Sequence, residues 1–154
     1  MFAVIYIPDF FLQAALRSEP QWHSRPVALI DARTPNPLIL QLTESACAAG
    51  VSAGMTPTQG LARAGKLLLK ARSLSNESSA TAALLDCAWS FSPAVEATGE
   101  GIATLDLRGF SRLDYEQLGR KMIGRLLLLN LAAQVGMARE QDRIEALHQA
   151  SHAG

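Results

Sequence analysis

A chain of 154 residues with 14 basic and 14 acidic side chains has the length of one domain and no net charge, and at that size about two-thirds of the unfolded surface can be buried without help from disulfides or metals. Zero net charge argues against an autonomous DNA binder, and Cys47 and Cys87, with no second Cys or His at ligand spacing, support neither a zinc site nor a disulfide framework and read as buried free thiols. The 49% hydrophobic and 18% charged residues put the composition on the apolar side for a soluble domain, which leaves some apolar surface for an interface.

Ala3 to Ile7 is a continuous apolar run rich in β-branched residues and ended by Pro8, the pattern of a strand buried on both faces. No basic residue precedes it and Pro8-Asp9 cuts it short, so it is not the apolar core of a signal peptide. Asp9 is expected to cap a helix over Phe10 to Leu16, which stops before Pro20, and Pro26 to Ile30 reads as a second buried strand. Leu38 to Leu42 is a third strand candidate, followed by a helix capped at Thr43 and stopped at Gly50. Gly50 to Gly65 is weakly patterned and reads as short helices and loops, an inserted subdomain, before Leu67-Leu68-Leu69 returns to strand character.

Ser75 or Asn76 can start a helix reaching about Phe91, with Pro93 beyond its end. Val95 to Ala97 and Ile102 to Leu107 flank the Gly-containing link Thr98 to Gly101 and form a hairpin. Alternation in its second strand sends Ala103, Leu105 and Leu107 to the core and leaves Ile102, Thr104, Asp106 and Arg108 on the face where chemistry would occur. Ser111 to Asp114 is a capping-box pattern for a helix to about Leu129, with Leu118, Met122, Ile123, Leu126 and Leu127 on one stripe. Leu131 to Val135 suits a last strand and Arg139 to about Ser151 a last helix. The run Leu126 to Leu129 is far too short for a membrane span, and the expected location is cytoplasmic. The whole predicts an α/β (α+β) fold, a mixed sheet with helices packed on one face and a small helical insertion.

One charged feature departs from neutrality. From Ser45 to Asn76 there is no Asp or Glu, while Arg63, Lys66, Lys70 and Arg72 give a local charge of +4. Phosphate contacts need Lys and Arg rather than a precise code, so these four are the DNA-binding candidates, with a solvated charged face as the simpler reading.

Several stretches, in this order, resemble the N-terminal half of Y-family (DinB/UmuC-type) DNA polymerases, the translesion enzymes. Tyr6-Ile7-Pro8-Asp9-Phe10-Phe11 is similar to the family's opening D-x-D-x-F-F, and Arg25-Pro26-Val27-Ala28-Leu29 follows at the right distance. Gly50-Val51-Ser52-Ala53-Gly54-Met55 looks like its G-V-x-x-G-M segment. Ala103-Thr104-Leu105-Asp106 looks like the end of S-x-D-E-A-[FY]-L-D, and Val135-Gly136-Met137-Ala138 like V-G-I-[AS]. The resemblance covers nearly the whole chain. It implies one module, with residues 1–42 and 73–154 palm-like and 43–72 a fingers-like insertion; the family's thumb and little finger are not represented.

Nucleotidyl transfer in that family uses two Mg²⁺ ions about 3.5–4 Å apart, held by converging carboxylates. In register with its motifs, the first metal-binding Asp falls on Tyr6 and the Asp-Glu pair on Gly101 and Ile102, so no catalytic residue is carried over. The triphosphate contacts fall on Glu44, Cys47 and about Gln141, and an acid facing phosphate is unfavourable. The aromatic that excludes ribonucleotides falls on Phe11; Phe10 and Phe11 are the nucleotide-pocket-like residues, with core packing the simpler reading. Asp9 as a helix cap and Asp106 as a partner of Arg108 are favoured over metal ligation.

Loss of these carboxylates resembles the ImuB-like branch, whose members act as adaptors in SOS-type mutagenesis and DNA repair. The leading expectation is therefore a non-catalytic adaptor or DNA-binding module without cofactor. By resemblance its partners are DNA, a second polymerase, a sliding clamp and a recombinase-like adaptor. Gln41-Leu42-Thr43-Glu44 begins like a clamp-binding peptide but lacks its hydrophobic ending. The first alternative is an active polymerase fragment in which Asp9, Asp106 and Asp31 rebuild a Mg²⁺ site; the second is a protein-interaction module without DNA contact.

Overall fold

The computed structural model describes residues 1–110, 114–139 and 142. The chain forms two compact units, Met1–Phe10 with Ser78–Gly154, and Phe11–Glu77.

The first unit is built on a four-stranded antiparallel sheet. β1 (Phe2–Tyr6) lies between β6 (Ile102–Asp106) and β7 (Gln134–Ala138), and β5 (Val95–Gly99) adds outside β6. The register pairs Ala3 with Leu105 and Met137, and Ile5 with Ala103 and Val135. These residues share the face on which α5 (Tyr115–Leu128) packs, since a Cβ at Gly119 would sit 3.8 Å from Val135 and Met137. The central strand is apolar because it has a neighbour on each side and little exposure on either face: Ala3 and Ile5 are fully buried, and Phe2 and Val4 on the other side are nearly so.

That second side corrects one expectation. Ile102 and Thr104 are only 7% and 3% exposed, close to the core-facing residues of the strand, and this face opens only toward its Asp106 end, where Thr104 borders a cleft. Thr104 is satisfied there by a 3.0 Å hydroxyl contact with Thr98. β5 and β6 are joined through Glu100-Gly101, with a bulge between Ala97 and Gly99.

The helix ends also moved. α4 (Leu74–Trp89) starts earlier than Ser75 or Asn76 because Ser73 Oγ accepts from Asn76 N. α5 is capped by Asp114, whose Oδ1 accepts from Gln117 N at 3.0 Å; Ser111 to Leu113 of the expected capping box lie outside the described residues. At its other end Asn130 turns left-handed (φ 57°), Asn130 N donates to Leu127 O and Leu131 N to Leu126 O. This closure fixes Leu131 as a buried residue of the helix end, so the last strand begins at Gln134 rather than Leu131. Leu127, expected on the inner stripe, is exposed; Gly119, Met122 and Leu126 form the buried line. The expected final helix from Arg139 falls largely outside the described residues.

The second unit holds a three-stranded sheet in which β2 (Val27–Ile30) pairs antiparallel with β3 (Ile39–Leu42) and parallel with β4 (Leu68–Ala71). The parallel pairing requires a crossover, supplied by α2 (Glu44–Ala48) and α3 (Pro57–Arg63). β2 is the central strand of this sheet, with β3 and β4 on its two edges. Thr43 Oγ1 accepts from Val27 N and Ala46 N and donates to Arg25 O, clasping the start of β2 to α2. One core joins Ala28, Ile39, Ala46, Val51 and Leu67. There Gly60 allows close packing: a Cβ would lie 2.8 Å from Ile39 Cδ1 and 2.9 Å from Leu67 Cδ2, and those side-chain tips would have to shift. On the other side Leu12 and Leu16 of α1 (Phe10–Leu16) pack with Val27 and Leu29. Cys87 is buried as expected, whereas Cys47 is exposed on α2. Among the described residues no helix is long and apolar enough to cross a membrane.

Candidate functional site

Antiparallel pairing of β1 with β6 brings together Tyr6, Gly101 and Ile102, the three positions where the resemblance places carboxylates. Tyr6 pairs with Ile102, and Ile7 N donates to Gly101 O at 2.9 Å. Gly101 has φ +70°, and a Cβ there would fall 2.8 Å from both Cβ and Cγ of Phe10. A glycine is thus required twice over, by the left-handed backbone and by the Phe10 ring packed against it. Ile102 is buried, and the Tyr6 hydroxyl is pushed above its ordinary pKa, by burial first and then by the nearby Asp9 carboxylate.

Asp9 corrects a second expectation. Its backbone is left-handed (φ 46°), not the extended conformation of the caps Thr43, Thr56 and Asp114, and Asp tolerates that region better than most residues. Its carboxyl is raised above the ordinary range by desolvation, the opposite of what a capping hydrogen bond or a neighbouring cation would do.

Asp106 sits at the other end of the paired strands, opposite Phe2. Four residues along a strand is roughly 13 Å from Ile102. Its carboxylate receives Arg108 Nε, Nη2 and backbone N, which hold its pKa below the ordinary range. The Arg108 guanidinium lies 5.3 Å from the Phe2 ring, and these residues with Trp89, Val95 and Thr104 line a cleft of about 250 Å³. Asp31 belongs to the second unit and is gripped by Arg33 Nε and Nη2 at 2.9 and 2.8 Å. Among the described residues no three His, Cys, Asp or Glu side chains gather in a way that could hold a metal ion.

The Arg33 hydrogen bonds lower the Asp31 carboxyl from 3.8 to about 2. A depressed pKa favours the folded state above the ordinary carboxylate range, and that contribution is lost as pH falls through the folded value. An NMR titration of the Asp31 carboxyl carbon is expected to give a midpoint near 2, returning to near 3.8 in Arg33→Gln; an unchanged midpoint would remove the pair as the cause.

In the second unit the four basic candidates divide. Arg63, at the end of α3, and Lys66 are exposed. Lys70 Nζ lies 3.4 Å from Glu19 Oε1 and 5.8 Å from the Trp22 ring, whose indole N–H donates to the other Glu19 oxygen. Arg72 makes two parallel bonds to Glu77, at 2.8 and 2.9 Å, and stacks 3.8 Å from the centre of the Phe11 ring. Phe11 also packs against the Leu12, Leu16, Val27 and Leu29 cluster. The local +4 is therefore offset by Glu19 and Glu77, acids from outside the segment. Glu44 and Cys47 are exposed on one side of α2, and Gln141 lies outside the described residues. Gln41 and Leu42 belong to β3, with Gln41 Oε1 accepting from Leu12 N, and Thr43 is buried. That tetrapeptide is built into the fold rather than presented as a free peptide.

The impB/mucB/samB family model matches residues 5–142. The chain belongs to this family. No curated protein sequence matches it. Among solved structures it is similar to a post-insertion binary complex of Dbh DNA polymerase, with 19% identity and a TM-score of 0.76 over 90% of this chain and 42% of that one. It is also similar to DinB from Sulfolobus solfataricus, with 18% identity and a TM-score of 0.73 over 90% and 42%. A chimeric Y-family DNA polymerase, Dbh-Dpo4-Dbh, matches at 19% identity and 0.74 over 88% and 42%. The impB/mucB/samB fold here is thus that of the N-terminal region of a Y-family polymerase, and the chain spans 42% of the length of the polymerase chains it matches.

Proposed function

We propose that this impB/mucB/samB-family chain is a non-catalytic, polymerase-like adaptor and DNA-binding module in DNA-damage tolerance, of the ImuB-like kind. The observation that carries the reading is the Phe10 ring packed on Gly101. Where the family resemblance puts a metal-binding acid, this chain has a position that accepts no side chain. Tyr6 and Ile102 beside it supply a neutral phenol and an alkyl group, so the donor set does not fit a pair of Mg²⁺ ions, which need converging carboxylates. Asp9, Asp31 and Asp106 do not replace them, because two of the three are committed to Arg33 and Arg108. The partners are DNA and, by resemblance, a second polymerase, a sliding clamp and a recombinase-like adaptor.

Charge distribution supports DNA contact through the second unit. Phe11–Glu77 carries seven Arg and Lys against four Asp and Glu, a net +3, and the neutral total leaves −3 on the remainder. Of the four basic candidates in it, Arg63 and Lys66 are the exposed pair that would meet phosphates. Binding to primer–template DNA across a salt series is expected to weaken uniformly over sequences in Arg63→Glu and Lys66→Glu, with the salt slope reduced by about 1 for each lost contact. Affinity and slope unchanged by both reversals would favour instead a protein-interaction module without DNA contact.

A further inference from the structure

We infer that the outward face of α5 is a docking surface for an acidic amphipathic helix of a partner protein. At 100° per residue, Gln117, Arg120, Lys121, Gly124, Leu127 and Leu128 fall on one side of this helix, opposite the buried line of Gly119, Met122 and Leu126. All six are exposed, and the two leucines at 55% and 85%. A solvated helix face ordinarily carries polar residues at such positions; the two adjacent exposed leucines are the apolar part of the inferred surface.

The composition of the stripe selects the occupant. Its C-terminal half is apolar and its N-terminal half holds Arg120 and Lys121, cations on a unit whose net charge is −3. Glu116 engages Arg120 from the rim, both side chains being more than three-quarters exposed. Arg125 does not belong to the stripe, because it turns away to donate to Ser90 Oγ and lies 6.0 Å from the Phe91 ring. Gly124 sits between the two halves with nothing within 4 Å of where its Cβ would be, a notch that lets another helix approach the backbone closely. A helix laid into this face reads as one with aliphatic or aromatic anchors at i and i+3 or i+4, over Leu127 and Leu128, and Asp or Glu one to two turns away, over Arg120 and Lys121. A basic partner helix would meet like charge, and one without apolar anchors would leave the leucines wet.

The test uses the whole chain and three fluorescent peptides of equal length: an amphipathic helix of Leu and Glu, the same apolar pattern with Lys for Glu, and a scramble of the first. The acidic amphipath should bind in a salt-sensitive way and the other two at least about tenfold more weakly. Leu128→Ser and Lys121→Glu should each weaken the acidic peptide by about tenfold, with unchanged thermal unfolding because both side chains are already exposed. Equal binding of the acidic and basic peptides, or full binding by both variants, would overturn the proposal. So would sedimentation showing a dimer of this chain that Leu128→Ser dissociates, since the occupant would then be a second copy.

Discussion

Gly101→Asp, the substitution that puts an acid where the resemblance places one, is expected to destabilise the chain by about 2–4 kcal/mol. The left-handed backbone contributes about 1–2 kcal/mol of that, and the remainder comes from forcing a side chain into atoms of Phe10 that a Cβ would already meet at 2.8 Å. Urea unfolding reads the loss directly. Phe10→Ala is costly by itself, since Phe10 is a buried core residue. In the Gly101→Asp background the same truncation relieves the clash, so the double-mutant cycle should show a favourable coupling of about 1 kcal/mol or more. Strict additivity would mean that the Phe10 ring does not fill the place of the missing acid.

Arg72→Ala is expected to cost about 3 kcal/mol, because it strands Glu77, a carboxylate only 8% exposed, without its two guanidinium bonds. It also removes the cation stacked on Phe11, worth about 0.5–1 kcal/mol. Replacing both charges together, as Arg72→Met with Glu77→Leu, should be far milder than either single change, since no buried charge is then left alone. If Arg72→Ala unfolds at the same urea concentration as the parent, the pair is a surface feature rather than part of the second unit's frame. The consequence for function is separation of roles: Arg63 and Lys66 can be reversed to probe DNA binding, whereas changing Arg72 perturbs the fold first.

What the sequence makes legible is the order of elements and the identity of the neutral residues at Tyr6, Gly101 and Ile102, because strand runs, the Gly-containing hairpin and spaced motifs are local signals. It does not reveal that Ile102 and Thr104 are buried. Alternation tells which residues share a face, not whether that face is covered. Lys70 and Arg72 look like a free basic patch because their acids, Glu19 and Glu77, lie outside the segment that contains them. Asp9 has the residue type and position of a helix cap, but type alone does not report φ. The shift of β7 to Gln134 follows from the closure at Asn130 and Leu131, where a leucine that suits a strand serves the end of a helix instead. Within the candidate site, Phe10 reads from the sequence as a pocket-like or core aromatic, and its packing on Gly101 is not visible there; a glycine where the resemblance places an acid is the one signal that points to it.

The central claim is that the Tyr6, Gly101 and Ile102 face has lost metal handling, and binding of Mn²⁺, a spectroscopic substitute for Mg²⁺, tests it most directly. With the purified chain in equimolar amount, the electron paramagnetic resonance signal of free Mn²⁺ is expected to remain undiminished, and equally so for Asp9→Asn and Asp106→Asn. Sequestration of one Mn²⁺ per chain that either substitution abolishes would contradict the account and restore a polymerase-like metal site.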